Sequence, residues 1–293
     1  MLGSAAADDG TLDLGAYRLR EAGSATADED RRADVVRIPE ALPPRRPTVS
    51  VVIPAMNEAE NLRFVLPLLP PQIDEVILVD GGSTDGTIEV ARQLQPGVKV
   101  VRQQGRGKGN ALAGGFDAAT GDIIVMLDAD GSADPGEIPS FVEALCGGAH
   151  FAKGTRFARG GGSQDITRLR KAGNGALIRL VNLLFGTGYT DLCYGFNAFW
   201  SGCLSTLNVD CDGFEVETLI NIRVALAGLR VAEVPSFEHS RIAGRSNLNA
   251  VRDGLRVLRT ILRERLRGRR AAADSVGSVD QWISVRIGDA ASA

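Results

Sequence analysis

A run of five apolar residues leads straight into two carboxylates in the stretch Ile123-Ile124-Val125-Met126-Leu127-Asp128-Ala129-Asp130-Gly131. The run is short, and three of its five side chains are β-branched, which predicts a buried strand. Asp128 and Asp130 follow two residues apart, so both carboxylates are expected on one side of the strand end. Such a pair suits a divalent cation that clamps two phosphate groups. A turn that is merely rich in Asp and Gly is the alternative.

Three more apolar runs precede this strand and alternate with stretches of helical spacing. The runs are Val51-Val52-Ile53, Val76-Ile77-Leu78-Val79 and Val98-Lys99-Val100-Val101, and the helical stretches are 58–69, 85–94 and 108–119. This alternation predicts an α/β fold in which helices cover both faces of a parallel sheet. Beyond 130 the pattern is less regular and predicts helices at 138–145, 173–185 and 214–227. Sheets of this kind bind ligands outside the carboxyl ends of their strands.

The composition argues against several classes of protein. The 293 residues include 33 Lys or Arg and 36 Asp or Glu, and a net charge of −3 gives no overall attraction to nucleic acid. Four cysteines without a CxxC pair and two histidines argue against a zinc site, so carboxylates are the expected ligands of any metal. The chain shows no signal peptide, and no apolar stretch approaches the roughly 20 residues that cross a bilayer, which predicts a cytoplasmic protein.

Polar residues follow the first two strands as well. The segments are Pro54-Ala55-Met56-Asn57-Glu58 and Asp80-Gly81-Gly82-Ser83-Thr84-Asp85-Gly86-Thr87. Asn57 is interpreted either as a helix N-cap or as a ligand contact. Asp80 can hydrogen-bond a base or a ribose, whereas Asp85 with Thr84 can instead cap the next helix. A Rossmann dehydrogenase is disfavoured because no GxGxxG follows the first strand. The later Gly105-Arg106-Gly107-Lys108-Gly109 lacks the Ser or Thr of a Walker motif.

In order and spacing, these segments resemble the inverting glycosyltransferases of family 2, and among them the dolichol- or polyprenol-phosphate mannose synthase type. The resemblance covers about 50–248 and implies the GT-A nucleotide-diphospho-sugar transferase fold, with a mostly parallel central sheet. The motifs that carry it are Pro54 to Glu58, Asp80 with Ser83 to Thr87, Asp128-Ala129-Asp130, Gly154-Thr155-Arg156 with Gly160-Gly161-Gly162, Asp191 before Gly195-Phe196, Glu233-Val234-Pro235, and Arg241 before Gly244-Arg245-Ser246.

The resemblance implies a nucleotide diphosphate sugar as donor, either UDP-glucose or GDP-mannose, and Mg²⁺ or Mn²⁺ held by Asp128 and Asp130. The residues expected to bind the donor are Pro54, Ala55, Asn57, Glu58, Asp80, Ser83, Lys108 and Asp128. Arg156 and Arg241 are expected to face phosphate charge, because the leaving nucleoside diphosphate gains negative charge. Surface ion pairs are the alternative for both arginines.

Two positions depart from the synthase pattern. Asn197 stands where the synthases carry a basic residue, and Asn247 stands in place of a lysine. Both changes remove positive charge, which argues against a polyprenyl phosphate acceptor. A hydroxyl acceptor remains an alternative. A hydroxyl needs a general base, whereas a phosphate is already ionised. The candidates are Glu215, Glu217 and Asp191, and acids favoured by the dipole at a helix start are the alternative for the two glutamates.

Composition and the resemblance together divide the chain into four parts. They are a disordered leader at 1–47, the glycosyltransferase domain at 48–248, a basic amphipathic helix at 249–270 and a flexible tail at 271–293. The helix has an apolar row beside an arginine row; these are Val251, Leu255, Leu258, Leu262 and Leu266, and Arg252, Arg256, Arg259, Arg263, Arg267 and Arg270. Packing of this helix on the catalytic domain is the simpler interpretation. Peripheral contact with the inner face of the cell membrane is the other.

Together these features predict an inverting, metal-dependent glycosyltransferase. It would move a glucose-type or mannose-type sugar to a polyprenyl phosphate or to another cell-envelope or metabolite acceptor. A nucleotide-sugar-binding regulatory module and a nucleotidyltransferase are the alternatives. The sequence leaves the donor base, the sugar, the acceptor and the oligomeric state undecided.

Overall fold

The structure, a computed structural model, describes residues 45–244, 249–267 and 272–287. Its centre is a seven-stranded sheet in the order β3-β2-β1-β4-β7-β5-β8. The strands are β1 (Val49–Ala55), β2 (Glu75–Asp80), β3 (Lys99–Arg102), β4 (Ile123–Met126), β5 (Phe151–Thr155), β7 (Asn197–Trp200) and β8 (Val231–Pro235). Only β7 runs antiparallel to its neighbours β4 and β5. The predicted α/β fold with a mostly parallel sheet is therefore confirmed.

Helices cover both faces of this sheet. They are α1 (Ala59–Val65), α2 (Thr87–Leu94), α3 (Gly107–Ala118), α4 (Ile138–Cys146), α5 (Arg168–Phe185), α6 (Leu204–Leu207), α7 (Val216–Leu226), α8 (Ala250–Arg267) and α9 (Ala272–Ile287). A small parallel pair, β6 (Gly162–Ser163) and β9 (Phe237–Glu238), lies beside the sheet. All four residues of β4 are buried, as its uninterrupted apolar run predicts. No helix of the described ranges has the length and apolar character needed to cross a bilayer.

The first described residues are already tied to the domain. Of the predicted leader at 1–47, residues 1–44 lie outside the described part of the chain. The Arg45 guanidinium lies 2.6 Å from a carboxylate oxygen of Asp122, and that of Arg46 lies 2.7 Å from one of Asp74. Arg45 and Arg46, which the prediction assigned to the leader, are thus bonded to the domain.

The carboxyl-terminal segment differs from the expected flexible tail. Helix α9 occupies 272–287, with Val279 and Ile287 buried in the main core. Asp280 bonds Nε2 of the buried His150 at 2.9 Å and the Arg230 guanidinium at 2.8 Å. The hydrogen bond from Arg230, opposed by partial burial and aided by His150, lowers the pKa of Asp280 to about 2. Residues 288–293 lie outside the described ranges.

Helix α8 is present as predicted, but a different face packs on the domain. Val257 and Ile261 are buried in a second core cluster with Val181 of α5 and Ile222 of α7. The apolar row that was expected to face the protein is instead largely exposed. The reason is that Val257 and Ile261 lie on the side of the helix away from that row, between Asp253 and Glu264, which are also buried.

Candidate functional site

A cavity of about 540 Å³ opens at the carboxyl ends of the parallel strands. Asp128 and Asp130 line it directly after β4, and Arg156 lines it directly after β5. Lys108 reaches it from the start of α3, and Arg241 from the segment after β9. The sheet thus brings together residues that are up to 133 positions apart, at the edge where parallel sheets bind ligands.

Lys108 joins two carboxylates at the base of the cavity. Its Nζ lies 2.6 Å from Oδ1 of Asp128 and 2.7 Å from Oε1 of Glu217. Burial alone would lower the pKa of Lys108, but the two carboxylates outweigh it and raise that pKa. Burial raises the pKa of Glu217 in spite of the lysine. Asp128 and Lys108 are thereby held as a fixed ion pair.

Two close backbone approaches make this ion pair fit. The backbone N–H of Gly109 donates to the carbonyl oxygen of Asp212 at 2.9 Å, and a Cβ on Gly109 would lie 2.3 Å from the carbonyl oxygen of Cys211. A Cβ on Gly195 would lie 2.6 Å from Nζ of Lys108 and 2.7 Å from Oδ2 of Asp128. Glycine is therefore required at both positions for the pair to lie where it does.

Arg241 connects Asp130 to the end of the first strand. Its Nη2 lies 2.5 Å and 2.6 Å from the two carboxylate oxygens of Glu58, and its Nη1 lies 3.3 Å from Oδ2 of Asp130. Burial opposes the charge on Arg241, but Glu58 and Asp130 raise its pKa above the ordinary value. The backbone N–H of Ser132 donates to Oδ1 of Asp130 at 3.0 Å and fixes that side chain.

Arg156 lies in a buried cluster with two acids. Its guanidinium donates to both oxygens of Asp191, at 2.7 and 3.0 Å, and to Glu238 at 3.0 Å. Asn174 donates to the same Asp191 at 2.9 Å. Burial would raise the pKa of Asp191, but Arg156 lowers it, and Arg156 keeps its own pKa above the ordinary range. Only 4% of Arg156 is exposed, so its donors serve the two carboxylates first.

The loops after β1 and β2 are bonded to each other. Asp80 accepts hydrogen bonds from the backbone N–H groups of Gly82 and Ser83, both at 3.1 Å. Asn57 has a positive φ of 58° and accepts from the backbone N–H of Thr84 at 2.8 Å, so its interpretation as a helix N-cap is wrong. The start of α1 is instead capped from the next loop, where Asp85 accepts from the backbone N–H of Ala59 at 3.0 Å.

The predicted site residues fall into two sets. Those that line the cavity are Lys108, Asp128, Asp130, Arg156, Glu217 and Arg241. Those that lie outside its lining are Pro54, Ala55, Asn57, Glu58, Asp80, Ser83, Asp191 and Glu215. Glu58 and Asp191 still touch lining residues, through Arg241 and Arg156. Glu238 and Asn174 also line the cavity, and nothing in the local sequence signalled either of them.

Each cationic side chain that lines the cavity has an acidic partner. Lys108, Arg156 and Arg241 are paired as described above, and Arg170 lies 2.8 Å from Asp165. Asn197 is buried and donates to the carbonyl oxygen of Tyr194 at 3.0 Å, so it adds no charge. Asn247 lies outside the described residues. Within the described lining, an anionic ligand would have to share or displace an existing pair.

The carboxylates at the end of β4 fit a cation that takes most of its ligands from elsewhere. Within 45–244, 249–267 and 272–287, no group of three His, Cys, Asp or Glu side chains is arranged to hold a metal ion. Mg²⁺ typically keeps several waters and binds through one or two carboxylates together with substrate phosphates. Asp130 matches that requirement better than Asp128, because Lys108 contacts both Asp128 oxygens, at 2.6 and 2.9 Å.

Comparison with known proteins identifies relatives of one kind. The family model described as glycosyl transferase family 2 matches residues 50–207. The glycosyltransferase AglJ of Haloferax volcanii is 32% identical over 216 residues, which are 72% of this chain and 70% of AglJ. A dolichol-phosphate mannosyltransferase of Pyrococcus furiosus is also 32% identical, over 68% of this chain and 59% of that protein. The chain thus matches less than two thirds of this second relative.

Solved structures with a similar fold include a sugar transferase. Glucosyl-3-phosphoglycerate synthase from Mycobacterium tuberculosis, in complex with Mn²⁺, UDP and glucosyl-3-phosphoglycerate, superposes with a TM-score of 0.60. The two chains are 26% identical, and the alignment covers 74% of this chain and 80% of the synthase. The same synthase has been solved with Mn²⁺, UDP-glucose and phosphoglyceric acid, with a TM-score of 0.59.

Proposed function

Because the chain belongs to glycosyltransferase family 2, we propose that it transfers a sugar from a nucleotide diphosphate sugar to an acceptor, with inversion at the anomeric carbon. One observation carries the proposal: Asp128 and Asp130 meet Lys108 and Arg241 in one cavity at the carboxyl end of β4. Paired carboxylates and cations at this edge suit a diphosphate and its cation. The donor is of the UDP-glucose or GDP-mannose type.

The nucleotide lies at the ends of β1 and β2 in this proposal. Pro54, Ala55, Asn57 and Glu58 follow β1, and Asp80 and Ser83 follow β2. Asp80 is largely buried, and two backbone N–H groups orient its carboxylate for a ribose or base contact. Glu58 is bonded to Arg241, which in turn contacts Asp130, so the nucleotide side and the diphosphate side are directly linked.

Asp130, with Asp128 beside it, would hold Mg²⁺ or Mn²⁺ on the diphosphate. When bound, the cation neutralises charge on the departing nucleoside diphosphate. Arg241 lies between Glu58 and Asp130 and stabilises the same charge, as preorganised donors do. Lys108 orients Asp128 through an ion pair of 2.6 Å. Arg156 orients Asp191 and Glu238 through its ion pairs with them.

Two acceptor classes each have support. The dolichol-phosphate mannosyltransferase relative favours a polyprenyl phosphate, which needs no general base. The pairing of every described cation in the lining favours a neutral hydroxyl. For a hydroxyl, Glu217 is the best-placed base, because it lines the cavity and its pKa is raised. Asp191 and Glu215 lie outside the cavity lining and are weaker candidates.

A parallel acceptor assay tests the proposal. UDP-glucose and GDP-mannose are each incubated with Mn²⁺ or Mg²⁺ and with polyprenyl phosphate or hydroxyl acceptors, and the product masses are recorded. Transfer to a hydroxyl should fall at least ~100-fold in Glu217→Gln, because the base is lost. The matched control Glu215→Gln should stay within about twofold, since that side chain lies outside the lining.

The outcomes separate the alternatives. Equal losses of hydroxyl transfer in Glu217→Gln and Glu215→Gln would show that Glu217 is not the base. Transfer to polyprenyl phosphate and to no hydroxyl would show that the acceptor is a phosphate. Donor binding without turnover under any condition would support a regulatory nucleotide-sugar-binding module and would contradict the proposal.

A further inference from the structure

The outer face of α8 carries two rows of side chains that the proposed transferase does not use. We call them the apolar row (Val251, Leu255, Leu258, Leu262 and Leu266) and the arginine row (Arg252, Arg256, Arg259, Arg263 and Arg267). The helix is attached to the domain by its other side, where Val257 and Ile261 are buried against α5 and α7. The apolar row therefore points away from the protein.

Most of the apolar row is open to solvent. Val251 is 69% exposed, Leu255 52%, Leu262 50% and Leu266 87%. Single exposed apolar side chains are ordinary, but a continuous row of large ones along more than four helical turns is typical of an interaction surface. Leu169, at the start of the neighbouring α5, is 70% exposed as well.

Positive charge flanks the apolar row on both sides. Steps of 100° per residue place the arginine row along one edge of the apolar row and Arg265 along the other. Arg259 and Arg265 form no ion pair with any described residue, whereas Arg263 and Arg267 share Asp210 and Glu264. Arg252 and Arg256 also lie 3.6 Å from Asp253, so one unpaired guanidinium group remains on each edge. An apolar strip with positive charge along both edges matches the boundary between lipid acyl chains and anionic headgroups.

We propose that this face of α8 docks on the surface of an anionic lipid bilayer. The apolar row enters the boundary between headgroups and acyl chains, and the arginines contact lipid phosphates. A second copy of the chain fits the face less well, because pairing two apolar rows would bring arginine edges against each other. Opposed like charges of this kind destabilise a helix pair.

Docking would place the mouth of the cavity against the lipid. Val251 of the apolar row and Leu169 both line the cavity and are both exposed. The cavity therefore opens on the docking side of the domain. Where the proposed function holds, an acceptor attached to a lipid reaches the site from this side, although the docking itself does not depend on transfer.

Vesicle co-sedimentation of the full chain tests the docking. The vesicles are phosphatidylcholine alone, or phosphatidylcholine mixed equally with phosphatidylglycerol. The first variant is Leu262→Ser/Leu266→Ser. Its control is Phe64→Ser/Leu68→Ser, which changes two exposed apolar side chains of α1 and of the 3-10 turn that follows it. The second variant is Arg259→Glu/Arg265→Glu, and its control is Arg63→Glu/Arg92→Glu, with the same change in net charge.

Wild type should sediment with the anionic vesicles, and both α8 variants should bind them at least about tenfold more weakly. The controls should stay within about twofold of wild type. All of these changes lie outside the cavity lining, so donor turnover should be unchanged, and failed docking is separable from failed catalysis. Equal sedimentation of wild type and the α8 variants would overturn the proposal. A dimer in light scattering that only the leucine variant abolishes would assign the face to a second copy instead.

Discussion

Asp130→Asn lowers sugar transfer at least ~100-fold, because a neutral amide can no longer hold the cation or balance the charge on Arg241. The change is isosteric. In the wild type, the backbone N–H of Ser132 donates to Oδ1 of Asp130 at 3.0 Å, and the amide oxygen of Asn can accept the same hydrogen bond. The fold should therefore be retained. Initial rates at saturating donor and a fixed Mn²⁺ concentration measure the effect.

Asp134→Asn is the matched control for this change. Asp134 lies four residues further along the chain, is exposed, and accepts from the backbone N–H of Gly136 at 2.8 Å outside the cavity lining. This change should alter the rate by no more than about twofold, and it should leave stability almost unchanged because Asn caps a helix about as well as Asp. If Asp130→Asn transferred sugar as fast as Asp134→Asn, Asp130 would have no part in binding the cation.

Arg156→Met lowers the free energy of unfolding by about 3–5 kcal/mol, because it leaves Asp191 buried without its cation. Asp191 is fully buried, and its remaining side-chain partner is Asn174 at 2.9 Å. Urea unfolding followed by circular dichroism measures the change. Arg170→Met is the control: Arg170 and Asp165 form a more exposed pair, so its loss should cost less than about 1 kcal/mol.

The deficit of Arg156→Met should shrink as the pH falls. In the wild type the pKa of Asp191 is below its ordinary value of 3.8, so the pair stabilises above about pH 4 and loses that contribution in acid. In the variant, burial without the arginine raises the same pKa, so protonation stabilises the variant as the pH falls. A deficit that was equal at pH 4 and pH 7 would contradict the assigned role of the buried pair.

The central sheet and the acid pair after β4 were predictable because their signals are local. The apolar run 123–127 and the two aspartates that follow lie within nine residues, and strand burial alone decides where the carboxylates emerge. The antiparallel strand β7, inserted between β4 and β5, was not predictable in the same way. Its pairing depends on long-range order in the sheet and not on any pattern within 197–200.

The remaining site residues depend on contacts distant in sequence. Glu238 pairs with Arg156 across 82 residues, and Lys108 pairs with Glu217 across 109. Helical periodicity located α8 but not the side it buries, because the leucines give a stronger apolar signal than Val257 and Ile261. Helix α9 was not predicted because its composition is largely polar. Its buried residues Val279 and Ile287 belong to the main core but are too few to give an apolar pattern.

Phosphorus NMR of the reaction is the most direct test of glycosyl transfer. The protein is mixed with a nucleotide diphosphate sugar, Mg²⁺ and the best acceptor from the assay above, and the phosphorus-containing products are identified. We predict release of the nucleoside diphosphate in step with a glycosylated acceptor. A parallel sample holds a nucleoside triphosphate and a sugar 1-phosphate in place of the donor and acceptor. Pyrophosphate released in that sample, with no glycosylated acceptor in the first, would instead identify a nucleotidyltransferase and contradict the account.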